Sequence, residues 1–528
     1  MHNRLYDHIK NLLLPCVGLS TITGVLSALF VTAFKLAAEV VIHFSTEIYS
    51  TVRANPKLVP FLILGAALLG LAVGFILTNS RSCRGGGIPT SVAAVRGIVS
   101  FRWYAGVFLL PFSALLTFLG GVPLGTEGPC VQMGTAIGHG VVKYCGSKKQ
   151  KGWRRYIMTG GASAGFSIAT SAPVSAILFS IEELHKRFSP MLLTVASISV
   201  LSAQITTHIL ALFGIGTIGL FDIPHIAAMS PKYLFAPLII GIICGVCAIL
   251  YTRFYHFVDN FMHELLKRVS KYVVFPILFV LIAAVGFFMA EALGTGHSLT
   301  HHLFEARMVW YMLIVIFLVR TVVMMISNNA GTTGGIFLPT IAFGAIIGAL
   351  CAEGMIALGW IGDEHYLLMV VLGITAFLGS TSRIPITACV FAIEALSGLH
   401  NVLSLIIVSI VALLIVEASE MEDFTDTVIH AKSRAASRGK TATIVEVPLT
   451  VKHDSFIIGK EMRDVLWPND CFVISLDRAS RHHKPGICEG DVITVHYKTY
   501  NPEATAEELQ ILVGEQSPEI EEAMHSGT

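Results

Sequence analysis

Long apolar runs alternate with glycine- and proline-rich breaks along most of this 528-residue sequence. A membrane-spanning helix needs about 20 mostly apolar residues. Leu12–His43, Leu58–Thr78, Tyr104–Leu119, Leu192–Phe213, Leu234–Tyr251, Val273–Leu293, Met308–Ile326 and Val402–Val416 fit that pattern. Between them lie apolar stretches interrupted by glycine and proline: Gly85–Pro89, Gly121–Gly140, Gly160–Leu184, Gly331–Leu350 and Ile384–Leu396. A broken helix survives in a bilayer only where its freed backbone is buried in protein or lines a watery cavity. The interrupted segments, rather than the clean helices, therefore mark the functional site. After Val416 the pattern changes. Arg434–Gly439 reads as a linker, and Thr443–Val451, Cys471–Leu476 and Asp491–Tyr497 read as strands. Ala504–Val513 reads as a helix ended by Gly514, and the acidic tail 515–528 as disordered.

The apolar body contains a repeat. Pro173–Leu184 aligns with Pro385–Leu396, with six of twelve positions identical at an offset of 212 residues. Gly128-Pro129 with Gly134 and Gly138 aligns with Leu338-Pro339, Gly344 and Gly348 at an offset of 210. Two matches at nearly one offset indicate an internal duplication. Transporters built from such halves hold their substrate where interrupted helix ends meet near the midplane.

Charge sharpens the picture. Only 13% of residues are charged, about half the usual share of a soluble protein. The formal charge of +1 gives no reason to expect a nucleic-acid partner. Residues 440–528 carry 8 basic and 15 acidic side chains, leaving 28 and 20 for residues 1–439. This is a basic membrane body joined to an acidic soluble domain. The loop Gly146–Arg155 is the densest basic cluster, and the positive-inside rule places it and His185–Arg187 in the cytoplasm. Topology alone is a sufficient reading of that loop. The polar start Met1–Lys10 reads as cytoplasmic, without a signal peptide. The ten cysteines are scattered, and the Cys244/Cys247 pair lies in an apolar run where helix packing is its natural role.

Three glycine-rich strings carry the chemistry. In Gly85-Gly86-Gly87-Ile88-Pro89, the glycines let backbone N–H groups approach an anion at a helix start. Taken alone, this string also fits a packing turn. Gly125-Thr126-Glu127-Gly128-Pro129 sets a carboxylate at the start of an interrupted helix, where it competes for the place of a permeant anion until protonated. A plain N-terminal cap is the alternative. Gly334–Pro339 repeats the logic, aiming the N–H groups of Ile336 and Phe337 at the same spot. Glu182 and Glu183 end a helix, about 100° apart around its axis, so one role does not suit both. Glu182 has a repeat counterpart in Glu394, which suggests a structural job for both. Glu183 faces Ala395 in the alignment and is the better proton relay, with a solvated helix-end charge as the alternative.

Together these strings resemble the CLC family of chloride channels and chloride/proton exchangers over residues 1–438. The resemblance implies an all-α polytopic membrane protein of inverted-topology repeats with broken helices, plus a small cytoplasmic α+β domain. It implies a homodimer in the cell membrane with one anion pathway per subunit and both termini cytoplasmic. Chloride and protons are its expected cargo, with no cofactor, metal or catalysis. Glu127 matches the family's gating glutamate, and Glu183 the internal proton glutamate of many exchangers. Gly86, Gly87, Ile88, Gly128, Ile336, Phe337 and Phe424 match its anion-binding positions. Three positions depart. Gly86 replaces the usual serine, Thr126 the arginine before the gate and Phe424 the tyrosine over the inner pathway. Each lost hydrogen bond to a charged partner costs roughly 1.5–3 kcal/mol. A weakly held central anion and loose coupling follow as expectations, leaving a passive channel as the alternative. GGIFLP at 334–339 keeps the family's ordinary form, favouring chloride over fluoride.

Residues 441–514 resemble a TrkA-C domain, through Ser455–Pro468, Val473–Leu476 and Glu489–Val495. The resemblance implies pairing across subunits and binding of a nucleotide or another small anionic ligand. A dimerisation module without a ligand is the alternative. Two other classes compete: a membrane-embedded enzyme using Glu127, Glu182 and Glu183, and a tail sensor on an inert anchor. The first needs His or Asp ligands at the broken helices, which hold almost none; the second makes Glu127 dispensable.

Overall fold

The computed structural model describes residues 13–80, 83–85, 87–99, 102–146, 149–216, 219–221, 223, 226–429, 443–453, 455–468, 471–479, 486–499 and 502–514. Met1–Lys10, Gly86, the linker 434–439 and the tail 515–528 lie outside the described residues.

The membrane body runs α1 (Leu14–Ala54), α2 (Val59–Asn79), α3 (Ile88–Val95), α4 (Leu110–Leu119), α5 (Glu127–Cys145), α6 (Arg154–Thr170), α7 (Pro173–Phe179) and α8 (Pro190–Leu212). It continues as α9 (Phe235–Arg268), α10 (Lys271–Phe288), α11 (His297–Glu305), α12 (Trp310–Ala330), α13 (Phe337–Ala357), α14 (Tyr366–Thr381), α15 (Pro385–Ala395) and α16 (Val402–Glu417). Proline sits at the start of α7, α8 and α15, where its missing N–H costs no helical hydrogen bond. Ser180–His185 continues α7 as a π-turn.

Among the described residues, nine helices are long and apolar enough to cross a membrane. Seven of them bury only 22–44% of their apolar window and leave side chains such as Phe61, Phe75, Leu250 and Ile410 exposed to lipid. The other two are α13 and the α14 region, buried to 72% and 89%. They correct the expectation from the sequence. The glycines in 331–350 break the chain only before Phe337, and the α14 span was not anticipated.

Glycine within α13 and α14 serves close approach rather than interruption. A Cβ on Gly344 would lie 2.7 Å from Gly373 O, and one on Gly348 would meet Met369 O and Val370. The first half repeats the device, with Gly134 against Gly161 and Gly138 against Ile157. Small residues let two backbones meet without intervening side chains. The α5/α6 and α13/α14 pairs are thus equivalent parts of the two halves.

Glu182 and Glu394 join the halves reciprocally. The Glu394 carboxylate accepts the N–H groups of Val174 and Ser175 at 2.9 and 2.8 Å, at the start of α7. The Glu182 carboxylate accepts those of Ile386 and Thr387 at 3.1 and 2.6 Å, at the start of α15, and the Thr387 hydroxyl at 2.6 Å. Each satisfies N–H groups that a helix start leaves unpaired. The structural role read from their repeat alignment is what the fold contains. Cys244 packs inside α9, its Sγ 3.8 Å from Gly373 O, and Cys247 is half-buried one turn on.

The tail carries β1 (Thr443–Thr450), β2 (Cys471–Asp477), β3 (Val492–Thr499) and α17 (Pro502–Val513). The antiparallel order is β1-β3-β2, with an irregularity between Val473 and Ser475. Val447, Leu449, Ile493 and Val495 alternate inward and pack with Leu509 and Val513 of α17. This core is continuous with Trp153, Tyr156 and Ile157 of the membrane body. Arg154 Nη2 and Arg155 Nη2 each reach a Glu508 oxygen at 2.5 Å. Arg155 also donates to Trp467 O, Tyr156 Oη to Asp464 O and Arg187 to Val465 O. The end of the basic loop is therefore a docking surface for the tail as well as a topology signal.

Candidate functional site

The three glycine-rich strings meet where the halves meet. Gly125 N–H donates to Gly335 O at 2.6 Å, and Gly335 N–H to Gly125 O at 2.7 Å, as an isolated antiparallel bridge. Gly85 N–H donates to Gly331 O at 3.1 Å. Thr333 Oγ1 donates to Cys83 O at 3.0 Å and lies 2.7 Å from Ser113 Oγ. Gly87 has φ +98°, and a Cβ there would run into the Gly128 backbone. Both the left-handed conformation and the contact demand glycine. Gly87 N–H donates to Gln132 Oε1 at 3.1 Å. The N-terminal ends of α3, α5 and α13 therefore share one region, each adding roughly half a positive charge.

Glu127 opens α5 in that region and is 0% exposed. Its Oε1 accepts the Thr126 hydroxyl at 3.2 Å, and the N–H groups of Glu127 and Leu338 lie against the carboxylate. Oε2 folds over Gly125, beside Leu338 and Pro339, and has no hydrogen-bond partner. Ile336 is the N-cap of α13, and Phe337 is its first residue. The Phe337 ring stands edge-to-face with Phe166 and Phe391 at 5.0 and 5.7 Å. Those rings hold α6 and α15 against the start of α13. Ile88 and Gly128 are buried at the starts of α3 and α5.

Glu183 and Phe424 form a second group. Glu183 is 2% exposed, its Oε1 lies 2.5 Å from Thr425 Oγ1, and its Oε2 has no hydrogen-bond partner. Phe424 is buried and edge-to-face with Tyr255 at 4.3 Å, while Tyr255 Oη accepts Asn328 Nδ2 at 3.1 Å. Adjacent Phe424 and Thr425 thus tie the relay candidate to the inner-pathway candidate. Glu182 points instead at α15, so the two neighbouring carboxylates face different partners. The structure brings Glu127, Gly128, Gly87, Ile88, Ile336 and Phe337 together and sets Glu183 with Phe424. Gly86 is outside the described residues.

Sequence reasoning missed three residues. Lys35, in the middle of α1, is 7% exposed, donates to Ile168 O and Ala169 O at 3.1 and 3.3 Å, and acts electrostatically on Glu127. A lone cation in an apolar run was its visible signal. Asp423 and Asp426 flank Phe424-Thr425 and carry the Glu183 group toward the surface. The repeated acids of Glu422-Asp423-Phe424-Thr425-Asp426 were their signal. Among the described residues, no three His, Cys, Asp or Glu side chains gather as a metal site.

Residues 65–417 match the family model described as voltage gated chloride channel. The fold is similar to that of a slow cyanobacterial Cl−/H+ antiporter, at TM-score 0.73 and 21% identity over 80% of this chain and 99% of that one. A eukaryotic CLC transporter matches at TM-score 0.63 and 19% identity, over 80% of this chain and 74% of that one. A CLC-type fluoride/proton antiporter matches at TM-score 0.61 and 20% identity, over 77% and 96%.

Proposed function

The chain belongs to the voltage-gated chloride channel (CLC) family, and from that premise we propose that it exchanges chloride for protons, with Glu127 as the gate. The observation that carries this is a buried carboxylate at three converging helix starts, with one oxygen unbonded. Ionised, Glu127 fills the electropositive position. Protonated, it loses the attraction and yields the place to chloride. Lys35, Gly87, Ile88, Gly128, Ile336 and Phe337 shape the anion site. Glu183 supplies the proton from the tail-bearing side, which we assign to the cytosol.

Loose coupling is supported by Phe424, which has no hydroxyl and packs on Tyr255. An anion there is held mainly by backbone N–H groups. Chloride efflux from proteoliposomes with simultaneous pH recording tests the proposal. The parent moves both ions, and Glu127→Gln passes chloride without protons. A Glu127→Gln variant that still moves protons with chloride overturns the gate assignment. A parent whose reversal potential follows chloride alone is a channel.

The same reading makes the protein a homodimer of the cell membrane, with both termini cytosolic. The tail is its regulatory domain, of TrkA-C type, with a nucleotide or similar anion as ligand. Removal of 439–528 is expected to change transport, and unaltered transport with every nucleotide tried counts against regulation.

A further inference from the structure

Behind Glu183 lies a cluster of charges that the exchange reading does not use. Lys186 Nζ sits between Asp423 Oδ2 and Asp426 Oδ2, at 2.8 and 2.6 Å. Arg96 Nη1 meets Asp426 Oδ1 at 3.3 Å and gives its other nitrogens to Leu184 O and Glu183 O at 2.9 and 3.1 Å. Asp423 has a fully buried side chain, whereas Lys186 and Asp426 are about 30% exposed, at 32% and 29%. Thr425 links the layers. Its N–H donates to Asp423 Oδ1 at 3.3 Å, and its hydroxyl lies 2.5 Å from Glu183 Oε1. The sequence Asp426–Lys186, Asp423, Thr425, Glu183 thus runs from solvent to a sealed carboxylate.

The charge count is uneven. Three carboxylates, Glu183, Asp423 and Asp426, face two cations, Lys186 and Arg96. Burying an uncompensated charge is costly enough that the group takes a proton instead. Of the neighbouring ionisable side chains, His185 turns to Thr159 Oγ1 at 2.8 Å, Arg187 to Val465 O at 2.9 Å and Glu182 to α15.

We propose that Asp423 loads Glu183 with its proton, sharing one proton with it across Thr425 and exchanging that proton with solvent at the Lys186–Asp426 rim. This rests on the exchange reading and names the route for its proton. In the inward step the Asp423 O–H bond breaks as an O–H bond forms on Glu183. Thr425 holds the two acids in line, its N–H on Asp423 Oδ1 and its hydroxyl on Glu183 Oε1, and water carries the proton between them, taking one from Asp423 as it gives one to Glu183. Asp423 is then reprotonated from water at the rim, and no other reactant is consumed. Burial holds the Asp423 carboxyl above the usual carboxylate range despite Lys186, while burial of Asp426 is outweighed by Lys186 and Arg96, which keep it below that range. The inner acid loads and the outer one stays ionised.

Asp423→Asn tests this in proteoliposomes, with chloride and proton fluxes recorded together across acid to neutral pH. Chloride flux is expected to persist while proton flux falls at least about tenfold and loses its pH dependence, with Asp423→Glu restoring both. Unchanged proton flux and pH profile in Asp423→Asn overturn the proposal while leaving the exchange reading intact. A parent that moves no protons overturns both. Should Asp423→Asn fail to assemble, Thr425→Val gives the same division: lowered proton flux with chloride flux kept supports the route, and unchanged proton flux overturns it.

Discussion

At the scale of single residues, the site is governed by which charges are compensated and which are not. Lys35 is a buried cation whose partners are two carbonyl groups, not a carboxylate. Its field therefore remains available to an anion near Glu127. Lys35→Met is expected to weaken chloride occupancy by roughly tenfold, about 1.4 kcal/mol in a medium of intermediate dielectric. Calorimetric titration checks the loss, and stability to thermal unfolding should fall as well, by about 1–3 kcal/mol, because Ile168 O and Ala169 O lose their donor. Asp426 provides a test of pH dependence. Its folded-state proton affinity is lowered chiefly by Lys186 and Arg96, against the opposing effect of burial. Its contribution to stability is thus fully present above the ordinary carboxylate range and is lost as pH falls through and below it. Melting curves of the detergent-solubilised protein should drop on acidification, and Asp426→Asn should flatten that drop. Glu127 and Glu183 were legible in the sequence because carboxylates are rare in apolar segments. Asp423 showed only as one of a run of acids, because its significance comes from a lysine 237 residues away in the chain.

The helices show why a repeated glycine pattern is easy to detect and easy to misread. Gly134, Gly138, Gly344 and Gly348 revealed the duplication, yet their spacing also suggested breaks in what are continuous helices. A glycine that admits a neighbouring backbone and one that ends a helix are the same letter; only the partner helix distinguishes them. The α14 span was missed for a related reason. Its apolar face is almost wholly inside the protein, so it lacks the uniform lipid-facing run that marks α2 or α16. Gly344→Ala is expected to destabilise by about 1–3 kcal/mol through overpacking against Gly373 and Ile374. Gly354→Ala, on the same helix with open space around it, should be neutral or slightly stabilising. Chemical unfolding of the two variants in matched detergent separates packing from helix propensity.

For the molecule as a whole, the tail is joined to the body through α6, the helix that packs on α5, which Glu127 opens. The strands were readable from alternation and short apolar runs, and α17 as a helical segment ended by Gly514. The docking was not, since Arg154, Arg155 and Glu508 are ordinary surface charges until folding brings them within 2.5 Å. Glu508→Ala is expected to loosen the tail by about 1–2 kcal/mol, discounted for partial exposure. Hydrogen exchange should then rise across 153–158 and 464–467, with the tail's own sheet still protected. The exchanged carboxylates of Glu182 and Glu394 carry a different implication. In each half, the end of one short helix grips the beginning of its counterpart, and the grip is returned in kind. Reciprocity of that sort is what two identical subunits related by a dyad necessarily make. Each half of the duplication carries both members of the handshake, so the contact that closes this one chain upon itself has the form that would hold two separate copies of such a half together.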